Sequence, residues 1–291
     1  MIYFFPQALN AVQLGTVYAL IALGYTLVYG VLSMINFAHG DFFMVGAFLC
    51  FVGAAVWHLP FVPVLLLSMG GVTMLGVATE RIAYRPLRSA PKVSAIITSL
   101  GVGIFLEHVT LGLNPYPKYI PPLLPSFSLD LGGVSVSTFQ LATIGISFAL
   151  MFALHLIVNK TKAGLALRAI SADRAMVPLM GVPVDKLIAF TFALGSGLGG
   201  AAGVMYGMAY PVIDPYIGII VGWKAFVSAV IGGIGSIRGA VLGAYILGTV
   251  EIMTAAFLPS TYRDLVTFSL LFALLIYRPS GLLGRVEIQK V

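Results

Sequence analysis

Seven side chains able to hold or move a proton stand within or beside long apolar runs: His39, Asp41, Glu107, His108, His155, Lys224 and Glu251. Placing a charge at bilayer depth costs roughly 3 kcal/mol, so each of these residues is a default candidate for function. For His108, His155 and Lys224 an interfacial or packing position is the preferred reading, because long side chains reach water from the membrane edge. His39 and Asp41 differ. They close the polar interruption SMINFAHGD, in which Asn36, Phe37, His39 and Gly40 stand between two apolar runs. Helices that break to line a hydrated path carry this mixture, and so does a simple polar turn at the bilayer edge.

Covalent chemistry finds little support. His39, Asp41 and Glu251 are the one catalytic constellation these residues could form. The chain has no H-E-x-x-H and no G-x-S-x-G, and its four histidines are scattered without ligand spacing, so no metal site is expected. GSGLGG at 195–200 matches the dinucleotide pattern G-x-G-x-x-G, but apolar helix surrounds it and no strand precedes it. That match is set aside. No G-x-x-x-x-G-K-[ST] occurs, so uphill movement of a solute would draw on an ion gradient or on another polypeptide.

The elements that must position these groups are membrane helices. Of 291 residues 59% are hydrophobic and 9% charged, with a mean hydropathy of +1.03, far from the roughly 25% charged residues of soluble chains. An all-α polytopic membrane protein follows, with the lipid bilayer as its surroundings. The net charge of +6 sits in short links between apolar runs, which argues against nucleic acid as a partner. Cys50 is the single cysteine, so neither an intrachain disulfide nor a Cys-based metal framework can form. MIYFFPQALNAVQLG lacks a basic n-region and an obvious cleavage site, so the first span is expected to be retained.

Runs long enough to cross a hydrocarbon core lie near 8–33, 35–57, 61–79, 94–113, 138–159, 187–209 and 265–278. A further stretch, 222–258, is too long for one pass, and its centre, IGGIGSIRGA, predicts a break there. The result is one membrane-spanning domain over 1–291 with eight to nine spans and Gly-rich broken segments. Nine passes fit best; eight with a re-entrant hairpin is the alternative. An extracytoplasmic N-terminus and a cytoplasmic C-terminus put thirteen of the 16 Lys and Arg residues inside, leaving only Lys118, Lys224 and Arg263 outside. The longest outer link, about 112–137, is rich in proline and is expected to lack a regular helix.

Gly195, Gly199, Gly203 and Gly207 recur every four residues, leaving one helix face as bare backbone for a close neighbour; Gly235, Gly239 and Gly243 repeat the spacing. Helix packing explains both stripes, and a moving seam is compatible with it.

Residues 160–186 hold Lys160, Lys162, Arg168, Asp173, Arg174, Asp185 and Lys186 between apolar spans. The bilayer does not hold such an island. A short helix is predicted here, with Ser171 capping a second turn, Pro178 kinking it and Gly181 supplying a left-handed stop. Ala169, Ile170, Met176 and Val177 would offer apolar contacts bordered by Arg168, Asp173 and Arg174, a composition suited to a partner's groove and equally to a solvated loop.

Several stretches, in order over nearly the whole chain, carry a resemblance: ALIALGYTLVYGVLSMINFAHGDFFMVGAF, YRPLRSAPKVSAIITSLGVGIFL, AGLALRAISADRAMVPLMGV, VIDPYIGIIVGWKAFVSAVIGGIGSIRGAVLGAYILGTVE and YRPSGLLGRVEIQKV. Together they resemble the LivH-type permease subunit of branched-chain amino acid ABC importers. The resemblance implies a type II ABC importer-like permease of a bacterial inner membrane that does no covalent chemistry and binds no cofactor. It implies a homologous second permease (LivM-like), two cytoplasmic ATP-binding subunits (LivG/LivF-like) that hold ATP-Mg, and an extracytoplasmic amino-acid-binding protein. It makes about 163–181 an ATPase-coupling segment, with Arg168, Ala169, Ile170, Asp173, Arg174, Met176 and Gly181 at the contact. It also pairs Asn36, Phe37, His39 and Gly40 with Gly232, Gly233, Gly235 and Ser236 near the translocation path. Urea or short amides as cargo, and an ion-driven secondary transporter, are the competing readings.

Overall fold

The computed structural model describes residues 4–88, 90–125, 127–130, 135–173 and 176–284. The long helices are α1 (Phe4–Leu32), α2 (His39–Phe51), α3 (Phe61–Thr79), α4 (Lys92–Leu113), α5 (Thr138–Lys160), α7 (Val184–Ala209), α8 (Ile217–Gly232), α9 (Ile237–Phe257) and α10 (Tyr262–Tyr277). A shorter helix, α6 (Lys162–Ala172), joins α5 towards α7. α2 runs on through a π turn over Val52–Val56, and α3 continues through Glu80–Tyr84 into a 3-10 turn at Arg85–Leu87.

Seven helices are long and apolar enough to cross a bilayer: α1, α2 and α3 with their extensions, α4, α5, α7 and α9. α8 and α10 have 16 residues each, about 24 Å at helical rise, a little short of a full hydrocarbon core. The long 222–258 run resolves into α8 and α9, and α8 begins earlier than hydropathy indicated, at Ile217. The turn between them needs glycine, since Gly233 and Gly235 adopt φ of 105° and 90°.

α1, α2 and α7 form the centre. Their side chains pack into one continuous core with parts of α8 and α9. α3, α4 and α5 instead turn Leu66, Met74, Phe105 and Phe152 outward, which suits faces meeting lipid. The glycine stripe of α7 does its packing at the centre: Gly195 meets the Gly24 backbone of α1, Gly199 the His39 ring, Gly203 the backbone of Phe43 to Ala47, and Gly207 the side chain of Ile120. Gly239 and Gly243 give α9 the same close approach to Gly232 and Ser228 of α8.

The link between α4 and α5 is mostly irregular, as its prolines demand. It contributes β1 (Lys118–Tyr119), which pairs antiparallel with β4 (Val212–Ile213) beyond α7, and the small hairpin of β2 (Ser128–Asp130) with β3 (Ser135–Ser137). The molecule thus has a strand end and, opposite it, an α6 end.

Candidate translocation site

α1 ends at Leu32, Ser33 takes a left-handed φ of 52°, and the chain then turns back into the bundle before α2 begins. Asn36 builds that turn. Its side-chain oxygen accepts the Ala38 N–H at 3.1 Å and the Tyr84 hydroxyl at 2.7 Å. An Asx turn of this kind satisfies backbone that a break in a helix leaves bare. Tyr84 is in turn held near the α6 end by the ion pairs that join the end of α3 to the start of α7: Arg85 to Asp185 at 2.8 Å, and Arg88 to both Glu80 and Asp185.

As a result α2 starts inside the bundle. His39 lies against Gly24, two helical turns before the end of α1, and against Gly199, four turns into α7. Its ring meets Tyr25 edge-on at 4.8 Å. Gly40 permits the arrangement: a Cβ there would collide with the Gly218 carbonyl and the Gly222 Cα of α8. Asp41 points the other way, at Gly218 and at Gly103 of α4, as a two-residue step around a helix requires.

A cavity of about 140 Å³ opens beside this break, lined by Tyr25, Phe37, Asp41 and Glu107 with Trp223 and Phe226 of α8. Phe37, Trp223 and Phe226 pack together with centroids 5.5 to 5.9 Å apart. Asp41 and Glu107 are both buried, and the Asp41 Oδ1 has no hydrogen-bond partner.

Asn36, Phe37, His39 and Gly40 are therefore gathered at one place, but Gly232, Gly233, Gly235 and Ser236 are not there. That turn is at the α6 end, about 15 Å along α8 from Gly222. It packs on the chain after α10, where the Leu282 and Leu283 N–H groups each donate at 2.9 Å to the carbonyls of Ile231 and Gly232. Ser236 caps α9 by accepting the Gly239 N–H at 3.2 Å. The glycines that face the break are Gly218 and Gly222, whose four-residue spacing was visible in GIIVG but was overshadowed by the denser IGGIGS.

The suspected trio of His39, Asp41 and Glu251 also separates. Glu251 accepts from Tyr18 and from Lys224, each at 2.7 Å, and Lys224 reaches Asp264 at 3.0 Å. Lys224 is thus packed in ion pairs, between the buried Glu251 and the exposed Asp264. His108 stays exposed and binds the Ile104 carbonyl on its own helix, and His155 contacts Asn159. Among the described residues no group of three or more His, Cys, Asp or Glu side chains is placed to hold a metal.

The charged island forms two pieces. Thr161 caps α6 by accepting the Gly164 N–H at 3.0 Å, and a 3-10 turn follows at Val177–Met180. Ser171 is no cap, because its hydroxyl donates to the Leu167 carbonyl; Asp173 fills that role for the Met176 N–H at 3.2 Å. Pro178 kinks no continuous helix. It stands early in the 3-10 turn, where a missing N–H costs nothing. Gly181 supplies the left-handed stop with φ of 73°.

Burial corrects the contact face. Gly164, Leu167, Ile170 and Val177 sit against the bundle, so Ile170 is a seat and not a partner contact. Arg168 and Met176 face outward, Ala169 is half-buried, and Leu165, Leu179 and Met180, which the sequence did not single out, are exposed as well, Leu179 at 81%. Arg174 lies outside the described residues.

A family model described as branched-chain amino acid transport system / permease component matches residues 7–275. The chain is 40% identical to the high-affinity branched-chain amino acid transport system permease protein BraD of Pseudomonas aeruginosa, over 99% of this chain and 98% of that one. It is 39% identical to the corresponding permease protein LivH of Salmonella typhimurium, over 100% of this chain and 98% of that one. Among solved structures it is similar to PsaBC from Streptococcus pneumoniae in complex with Fab, at 15% identity and a TM-score of 0.48, covering 93% of this chain and 91% of that one. Spanning helices, a break inside the bundle and full-length likeness agree: the chain belongs to the family of branched-chain amino acid transport system permease components.

Proposed function

We propose that this chain forms half of the translocation path of a binding-protein-dependent ABC importer for branched-chain amino acids. The observation that carries the reading is the start of α2 inside the bundle, beside a cavity with an apolar and aromatic wall. Broken helices at this depth line solute paths, and relatives that match over their full length are named as permeases for these amino acids. Residues 1–291 act as one permease domain.

The chain does no covalent chemistry and binds no nucleotide. A homologous LivM-like permease completes the path, and two LivG/LivF-like subunits hold ATP-Mg. An extracytoplasmic binding protein delivers the solute to the strand end, where β1 and β4 join the 114–130 and 210–220 segments. The α6 end faces the cytoplasm of a bacterial inner membrane, with the N-terminus outside and the C-terminus inside. There the segment about 163–181 meets an ATPase through Leu165, Arg168, Met176, Leu179 and Met180, all exposed on a projection whose back is seated on the bundle. Closure of the ATPases moves that projection, and the spans alternate between outward and inward access.

Tagging this chain and purifying it in mild detergent tests the reading. Two ATPase subunits are expected to come with it, and the reconstituted assembly is expected to accumulate leucine only with ATP and loaded binding protein. Accumulation by the chain alone overturns it.

A further inference from the structure

The proposed path leaves one feature unexplained. Asp41 and Glu107 share a cavity, both are buried, and no ion pair among the described residues neutralises either one. Lys224, next to Trp223 in sequence, is committed to Glu251 and Asp264. His39 lies on the far side of α2, against Gly24.

Two neighbouring carboxyl groups in a low-dielectric wall are costly as a pair of anions, and the cost is relieved when they hold a proton between them or when a cation visits. Glycine makes room for the Asp41 side chain itself: a Cβ at Gly103 or Gly218 would strike its carboxyl oxygens. Tyr25, Phe37, Trp223 and Phe226 turn aromatic surface to the same cavity. Aromatic faces attract ammonium groups and also accept branched aliphatic side chains. At about 140 Å³ the space is well below the roughly 300 Å³ and upward of pockets that hold ligands tightly, as a brief stop on a path should be. Ile104 and Trp223, which are 56% and 45% exposed, border it on its outer side.

We infer that the buried carboxyl group of Asp41, whose Oδ1 has no hydrogen-bond partner, together with Glu107, forms an ammonium-recognition site that takes the α-ammonium group of the transported amino acid while the aromatic wall takes its side chain. This rests on the proposed import of amino acids and adds to it. Selection is then not left to the binding protein alone, since a neutral amide or urea has no cation to offer the pair. An inorganic monovalent cation shares the chemistry and is separated by the test.

The test uses the assembled importer in proteoliposomes with leucine-loaded binding protein and ATP. Asp41→Asn and Glu107→Gln are each expected to lower the maximal rate of leucine uptake about tenfold or more, the scale of one lost charge-assisted hydrogen bond. Replacing Na⁺ and K⁺ by N-methylglucamine should leave uptake by the native chain unchanged. A second measurement does not depend on turnover. With Ile104→Cys in a Cys50→Ala background, a trimethylammonioethyl methanethiosulfonate should react about tenfold faster than the sulfonatoethyl reagent after correction for intrinsic rates, by attraction to the paired carboxylates. Adding Asp41→Asn and Glu107→Gln together should bring that ratio near unity. Native uptake rates in both single variants, a ratio near unity in the native pair, or an uptake that collapses without Na⁺ and K⁺ overturns the inference. If the native assembly carries no leucine, the import reading itself fails, whatever the thiol ratio shows.

Discussion

Gly40 has no room for a side chain. A single methyl group would enter the Gly218 carbonyl, so the start of α2 can approach α8 only as bare backbone. Gly40→Val is expected to abolish transport and to lower the melting temperature of the purified assembly, because overpacking a tight contact costs about 1–3 kcal/mol. Lys224 and Glu251 test a different effect. Removing one partner of a buried pair strands the other charge, at about 3–5 kcal/mol, whereas replacing both with apolar groups avoids that penalty. Thermal unfolding should therefore rank Lys224→Met below the double variant Lys224→Met with Glu251→Leu, which should approach the native chain; Tyr18 would then lose its acceptor, so full recovery is not expected.

The projection at the α6 end is an element with two jobs on two faces. Gly164, Leu167 and Ile170 recur every three residues and seat it, which leaves Leu165, Arg168 and the 3-10 turn to meet whatever stands beyond. Leu179→Asp is expected to cut ATP-dependent uptake at least tenfold while the permease still folds, since an 81% exposed side chain holds nothing inside the chain and a buried interface anchor is worth about 2 kcal/mol or more. Size-exclusion of the assembly checks both halves: the ATPases should dissociate and the permease should remain monodisperse. Gly181→Ala would force a residue with a Cβ into φ of 73°, costing about 1 kcal/mol. That should weaken coupling less than Leu179→Asp does, and uptake measured side by side would show it.

For the whole molecule, orientation is the decisive quantity. In a Cys50→Ala background, a cysteine at Leu165 should be reached by a membrane-impermeant maleimide only in inverted vesicles, and one at Ser260 only in intact cells. Labelling in the reverse order would put the projection outside and end the coupling proposal. Nine helices of 13 residues or more follow one another among the described residues, seven of them, with their extensions, long and apolar enough to cross a bilayer, and the glycine-lined contacts of α7 with α1 and α2 form the centre. Such close seams have few long side chains to reorganise, which suits two packings of similar energy.

What the sequence by itself determined is everything that depends on local pattern: spanning helices from apolar runs, the break at SMINFAHGD, the left-handed Gly181, the packing stripe of Gly195 to Gly207, and the family through its ordered motifs. These follow from period, length and backbone freedom, which neighbours along the chain already set. The tertiary structure alone decided who meets whom. It brought Gly40 to Gly218 and Gly222 rather than to the 232–236 turn, Asp41 to Glu107 rather than to Glu251, and Ile170 inward while Leu179 faced out. Polar groups scattered over a uniformly apolar chain carry no mark of their partners. In lipid the helices lack a strong hydrophobic preference for one neighbour, so fine packing and hydrogen bonding choose the pairs.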